Sequence, residues 1–244
     1  MEWRDEGVLL VTRPHGEHAL IIEVLTPGHG RHAGVVPGGA SRRMAPMLQP
    51  GSDLALVWRA RLDDHLGTFT AEPLRARSGL MSDRLALAGL SSACALLHLA
   101  LPERDPHPAL HAATVTLFDA MEALPDWPAL YLRWELGLLD EIGFGLDLSA
   151  CAVTGATEGL AFVSPRTGCA VTAAAAGQWS DRLLPLPPGL ASGRIAAADL
   201  PAALALTGHF LARALARDAS KPPLPEARSR LVTLLTRLAA EKPD

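Results

Sequence analysis

Up to about residue 75 the apolar positions come in short runs with a period near two. The runs 7–12, 17–26, 30–36, 53–62 and 68–74 are rich in Val, Leu, Ile and Thr, the residue types that sit well on a pleated, half-buried surface. Between them stand Arg13-Pro14-His15-Gly16, Thr26-Pro27-Gly28-His29-Gly30, a long stretch at 37–51, and Asp63-Asp64-His65-Leu66-Gly67. Gly, Pro and Asp punctuate tight turns, so the pattern predicts five strands with one connection much longer than the hairpins. A small barrel of the oligonucleotide-binding (OB) type accounts for this pattern, and a five-stranded SH3-like barrel accounts for it equally.

From Ser82 onward the apolar spacing changes to three and four. Ser82 is expected to N-cap a helix carrying Leu85, Ala88, Ser92, Ala95, Leu96 and Leu99, which Pro102 ends. Pro108 opens a second helix with Leu110, Val115, Leu117, Phe118 and Met121. A third keeps Trp127, Leu130, Tyr131, Trp134, Leu138 and Ile142 on one face, with Arg133, Asp140 and Glu141 off it. Core packing explains that aromatic stripe better than a ligand groove does. Residues 145–195 lose the period and are dense in Gly and Pro, which predicts a compact loop-rich unit. Two helices then close the pattern, one capped by Asp199 and carrying Leu200, Leu204, Thr207, Leu211 and Leu215, the other carrying Leu231, Leu234, Leu235 and Leu238. The expected division is a barrel over 1–80, a helical domain over 81–145 and 196–244, and an insert over 146–195.

Composition narrows the function classes. With 244 residues, 49% of them hydrophobic and 20% charged, the chain is ordinary globular material with room for one large domain or a few small ones. No apolar run reaches the roughly 18 residues a membrane span needs. The acidic start Met1-Glu2-Trp3-Arg4-Asp5-Glu6 is unlike a secretory leader, so a cytoplasmic protein is expected. Three cysteines do not suggest a disulfide framework. The formal charge of −4 argues against a strongly cationic nucleic-acid binder, and any such affinity has to come from local patches. Two stand out. Arg31, Arg42, Arg43, Arg59 and Arg61 cluster in and around the Gly38-Gly39 loop and the following strand, where alternation is expected to put Arg59 and Arg61 on one face. Arginine's planar fork suits phosphate oxygens and stays charged at any working pH. The other is a secondary patch near the end of the chain, with Arg213, Arg217, Lys221, Arg228 and Arg230.

Enzyme readings find little to stand on. His15-x-x-His18, His29-x-x-His32 and Asp63-Asp64-His65 could suggest a metal hydrolase, but all fall in predicted turns. Gly-rich phosphate loops with a Lys-Ser/Thr end, Gly-x-Ser-x-Gly elbows and His-Glu-x-x-His helices are missing from the sequence. No catalytic role, metal or other cofactor is expected.

Several ordered stretches carry a family resemblance. Glu2-Trp3-Arg4-Asp5-Glu6-Gly7, His29-Gly30-Arg31-His32-Ala33-Gly34, the Gly-Gly loop with Ser41-Arg42-Arg43, and Trp58-Arg59-Ala60-Arg61-Leu62 resemble the N-terminal domain of the RecO family of bacterial recombination mediators. The likeness continues through Arg133-Trp134-Glu135-Leu136-Gly137, Gly143-Phe144-Gly145, Cys151-Ala152-Val153-Thr154-Gly155, Val163-Ser164-Pro165-Arg166-Thr167-Gly168 and Asp181-Arg182-Leu183-Leu184-Pro185. It ends near Pro223-Leu224-Pro225-Glu226-Ala227-Arg228. The resemblance implies an α+β multidomain protein: an N-terminal five-stranded OB-type barrel, then an all-α domain with a small zinc-ribbon-like insert. It also implies a nucleoid-associated protein that binds single- and double-stranded DNA and anneals complementary strands. RecR and the C-terminal tail of single-strand binding protein are the implied partners, and the implied task is loading RecA onto coated gaps. For the groove that would take that acidic tail, the sequence leaves two candidates, apolar helical residues beside Arg133 and the basic C-terminal patch.

The chain departs from the family in two places. Zinc-holding members carry two Cys-x-x-Cys pairs, since four thiolates close a tetrahedral site. Here Cys151 is followed by Thr154, the second pair would fall at Val171 and Ala174, and Cys169 is off register. The expectation is a degenerate ribbon without zinc, held by apolar contacts. The other departure is charge: Pro37, Ala40 and Ala45 stand where many relatives carry further arginines in the loop, so modest DNA affinity is expected.

Overall fold

A computed structural model describes residues 1–62, 65–216 and 224–241. The chain is α+β and divides into two compact units, 1–124 and 125–244.

In the first unit, β1 (Glu2–His15), β2 (Ala19–Thr26), β3 (Gly30–Val36), β4 (Asp53–Arg59) and β5 (Thr68–Arg75) form a closed barrel in the order β1-β2-β3-β5-β4. The first strand is twice as long as its apolar run predicts, because it serves two partners. Its first half pairs with β4, Glu2 opposite Arg59 and Val8 opposite Asp53. Its second half pairs with β2, with an irregularity between Leu9 and Val11 where the strand changes partner. In the first half Glu2, Arg4 and Glu6 are exposed while Trp3 and Asp5 are half-buried, a true alternation in which charged residues take both kinds of position. A parallel contact between Val35 and Thr68 closes the barrel. Leu9, Ile22, Val24, Val36, Leu54, Leu56, Trp58 and Phe69 fill it, and Leu48 from the long loop joins them.

The turn at Gly30 needs glycine on two counts. Its φ is +62°, and a Cβ there would collide with the backbone of Asp105. That collision reports how closely the 101–105 segment runs against β3. Two helices belong to this unit, α1 (Arg84–Ala100) and α2 (Pro108–Ala123). Asp83, rather than Ser82, caps α1: its carboxylate accepts from the amides of Leu85 at 2.8 Å and Ala86 at 3.1 Å. These two helices group with the barrel, whereas the sequence division puts them with the later helices.

The second unit holds α3 (Trp127–Glu141), the insert, α5 (Leu200–Leu215) and α6 (Glu226–Glu241). Trp127, Tyr131, Trp134 and Leu138 of α3 are buried, as is Glu135 on the same side. Leu200, Leu204, Thr207, Leu211 and Leu215 of α5 are buried in turn, and α5 packs against both α3 and α6. Asp199 stands at the start of α5 without a capping hydrogen bond from its side chain.

The insert folds around a small core of its own. Strands β6 (Leu160–Val163), β7 (Ala170–Thr172) and β8 (Leu184–Pro185) lie in the order β7-β6-β8, with a single turn of helix, α4 (Ala173–Ala176), after β7. Cys151, Val171 and Ala176 are its buried centre.

Candidate nucleic-acid interface

The long 37–51 connection is more ordered than its composition suggests. The amides of Ala45 and Leu48 bond back to the carbonyls of Ser41 and Met44 at 2.9 and 3.1 Å, so residues 41–48 wind as successive helical turns. The amide of Ala40 bonds to the carbonyl of His18 at 3.2 Å, fixing the start of the loop to the β1–β2 hairpin tip, and Leu48 is plugged into the barrel core. Arg42 and Arg43 sit on the outer side of this anchored loop. Both are exposed, and among the described residues neither is tied to a carboxylate. Exposed, uncompensated guanidinium groups on a fixed loop are available to phosphate.

The other predicted arginines are differently placed. Arg31 is withdrawn from the surface: its Nη1 lies 2.7 Å from Glu23, its Nε donates to the carbonyl of Leu101 at 3.1 Å, and its residue exposure is 9%. Alternation along β3 fails as a guide here because the 101–105 segment covers the strand's outer face, the amide of Arg104 bonding to the carbonyl of Arg31 at 2.8 Å. Arg59 is exposed but holds Glu2 with Nε at 2.8 Å and Nη2 at 3.2 Å. Arg61 is exposed beyond the end of β4, so the strand does not carry it on one face with Arg59.

Two features of this unit were not read from the sequence. Glu23 lies in the apolar run Ala19–Thr26 and is buried, accepting from Arg13, Arg31 and His98, each at 2.7 Å. Burial alone would raise its carboxyl pKa, but the His98 hydrogen bond and the charges of His98 and Arg31 outweigh it and hold the group below the ordinary value. A lone carboxylate in an apolar strand is the signal that betrays such a centre, since a buried charge has to find partners. The other is a groove of about 610 Å³ over β1, β4 and β5, lined by Arg4, Asp5, Glu6 and Glu72 among others. Its balance is acidic, which excludes it as a phosphate track.

Among the described residues the histidine motifs do not gather into one cluster. The Nδ1 of His29 lies 3.1 Å from Asp5, and its ring stacks on Trp3 with centroids 4.0 Å apart. His32 is buried edge-on to Trp3 and Trp58; burial first, then the nearby charges of Arg104 and His29, push its pKa down to about 4. His15 and His18 are exposed at the hairpin tip, and Asp63 and Asp64 lie outside the described residues. Among the described residues no three His, Cys, Asp or Glu side chains form a metal-binding group. In the insert, the donor set does not fit zinc. Cys151 is a single buried thiol that faces Thr172, whose amide donates to it at 3.4 Å, and the Cys169 thiol turns to the carbonyl of Thr167 at 3.8 Å. The expected likeness to a zinc ribbon therefore finds no support.

Two family descriptions match the chain, Recombination protein O N terminal over residues 1–77 and Recombination protein O C terminal over residues 81–222. The chain belongs to the RecO family. Among its RecO relatives, a protein named DNA repair protein RecO from Cereibacter sphaeroides is 62% identical over 238 residues, covering 97% of this chain and 99% of that one. Proteins of the same name from Ruegeria sp. and Dinoroseobacter shibae are 57% and 53% identical, each over 97% of this chain and 99% of their own.

Among the described residues of this RecO-family chain the secondary basic patch largely dissolves. Arg228 is 5% exposed and grips the fully buried Glu135 through Nε at 2.7 Å and Nη2 at 2.9 Å. Arg213 is turned onto the carbonyls of Pro165 and Arg166, and Arg230 is exposed beside Glu226 at 3.2 Å. Arg217 and Lys221 lie outside the described residues. No described helix is long and apolar enough to cross a membrane.

Proposed function

We propose that this RecO-family chain acts in DNA repair and recombination by binding DNA without sequence preference through its 37–51 loop. The observation that carries the reading is the pair Arg42 and Arg43, exposed and uncompensated on an anchored loop in a chain whose relatives are named DNA repair proteins. The barrel order β1-β2-β3-β5-β4 with a parallel β3–β5 closure supports assigning it to the OB type. In this reading the protein anneals complementary strands and, with RecR and the tail of single-strand binding protein as partners, helps load RecA onto coated gaps in the cytoplasm near the nucleoid. It breaks no bond and carries no cofactor.

Replacing Arg42 and Arg43 by alanine tests it. Binding of a labelled single strand should weaken at low salt, and the slope of log affinity against log salt should fall by about 0.7 per lost phosphate contact; unchanged affinity sinks the assignment.

A second reading is favoured by the internal pairing of Arg31, Arg59 and Arg228, which leaves few free cations. In it the chain is an adaptor that binds RecR or single-strand binding protein and has little DNA affinity of its own. Strand annealing by the protein alone supports the first reading, and annealing that needs RecR supports the second.

A further inference from the structure

The acidic groove of about 610 Å³ lies over β1, β4 and β5 of the barrel, and the strand register shows how it is built. Glu6 stands opposite Ala55, and Ala55 stands opposite Glu72, so one row across the sheet reads carboxylate, methyl, carboxylate. Two residues along each strand, the next row with the same facing is Arg4, Val57 and Thr70. Leu54, Leu56 and Trp58, which alternate with these positions on β4, turn into the barrel core. Ala55 and Val57 are left as a half-buried apolar floor. Neighbouring strands lie about 4.8 Å apart, so the backbones carrying Glu6 and Glu72 are separated by about 10 Å. That spacing admits a cationic head group between the two carboxylates.

Most charges around this face are already committed. Asp5 is taken by His29 at 3.1 Å and by the amide of Gly28 at 3.0 Å. Arg59 holds Glu2, and Arg75 holds Asp119 and Glu122. Arg4 lies 4.0 Å from Glu2. Glu6 and Glu72 are exposed, and among the described residues neither is paired with a cation. Two free carboxylates flanking an apolar floor complement a long cationic side chain: its methylene stem lies on Ala55 and Val57 while its head meets the glutamates. Arginine suits the site best, because its planar fork offers donors along two edges at once.

We propose that this sheet face docks an extended, arginine-bearing segment of a partner protein, with one arginine seated between Glu6 and Glu72. The inference does not depend on the DNA-binding reading, since the charge of the groove works against phosphate.

The probe is a labelled nine-residue peptide alternating arginine and alanine, which presents its guanidinium groups on one side when extended. The same peptide with citrulline in place of arginine is its neutral control. Fluorescence anisotropy at low salt measures binding to the native chain, to Glu6→Gln with Glu72→Gln, and to Ala55→Arg, which fills the floor with a cation of the chain's own. Glu17→Gln with Glu158→Gln removes the same charge at exposed positions elsewhere, and circular dichroism checks that each variant folds. The native chain should bind the arginine peptide and not the citrulline one. The groove pair should lose about tenfold, the scale of two exposed ion pairs; Ala55→Arg should lose at least as much, and the Glu17 and Glu158 pair less than about twofold. Equal losses in the groove and control pairs, a citrulline peptide that binds as well as the arginine one, or no binding by the native chain overturns the inference. If the native chain associates with itself and the groove pair abolishes that association, the face belongs to a second copy and the proposal likewise falls. None of these variants alters Arg42 or Arg43, so failure here leaves the DNA reading standing.

Discussion

Among the described residues each unit buries one carboxylate, and the two centres are closed to different degrees. Glu135 is wholly buried and takes hydrogen bonds from Tyr131 at 2.8 Å, from Thr207, and from two nitrogens of Arg228. Arg228 also donates to the carbonyl of Leu204 at 2.6 Å, and Gly208 makes room for it, since a Cβ there would stand 2.7 Å from its Nη1. Glu23 in the barrel is nearly as buried, but two of its three partners reach solvent: Arg13 is 55% and His98 29% exposed by side chain. The closed centre is a fixed brace tying α3, α5 and α6, whereas the open one can respond to pH and salt. Both show why counting cations along a sequence overstates a basic surface: Arg31 and Arg228 are spent inside.

That contrast can be broken experimentally. The largest effect belongs to the closed centre: Arg228→Ala strands a buried carboxylate and should cost about 3–5 kcal/mol in urea unfolding. Replacing the pair together, Glu135→Leu with Arg228→Met, should recover much of the loss, and a double variant no better than the single would mean the brace works by packing. Next comes His32, which the barrel holds neutral with a pKa of about 4 against 6.5 unperturbed. Because the unfolded chain binds the proton more readily, stability should decline as pH falls from about 6.5 to about 4, by about 3 kcal/mol at 1.36 kcal/mol per pKa unit. His32→Phe should flatten that decline. At neutral pH Glu23→Gln should cost about 1.5–3 kcal/mol. The carboxyl of Glu23 is held below its usual value of 4.5, so its contribution is full above that pH and is lost as pH drops through the lowered value; parent and variant should converge in acid. A gap that persists there would assign the effect to shape. Smallest is Arg42→Ala with Arg43→Ala, which should leave the urea midpoint unmoved while weakening DNA binding.

Much of the architecture was legible in the sequence. Periods of two and of three to four marked the strands and helices, with Pro108 opening α2 as expected. What escaped was anything decided by a second element. The first half of β1 is charged on both faces and gives no apolar signal, Arg31 looks exposed until the 101–105 segment covers it, and Arg61 follows a strand whose end the alternation does not mark. The sequence also says nothing of which surface α1 will cover, so its grouping with the barrel had to come from the contacts. At the candidate interface, Arg42 and Arg43 were legible because Gly38-Gly39 flags a loop.

The divided first strand has a consequence for biogenesis. Its second half finds β2 across a short hairpin, but its first half waits for β4, Glu2 meeting Arg59 at a separation of 57 residues. Long closures of this kind form late and slowly. Until then an unpaired edge is open on a nascent chain, where another chain could add to it. Glu2, Arg4, Asp5 and Glu6 occupy that waiting half-strand, and charge on a bare edge discourages aggregation. The residues that blur the strand in the sequence act as its gatekeepers during synthesis.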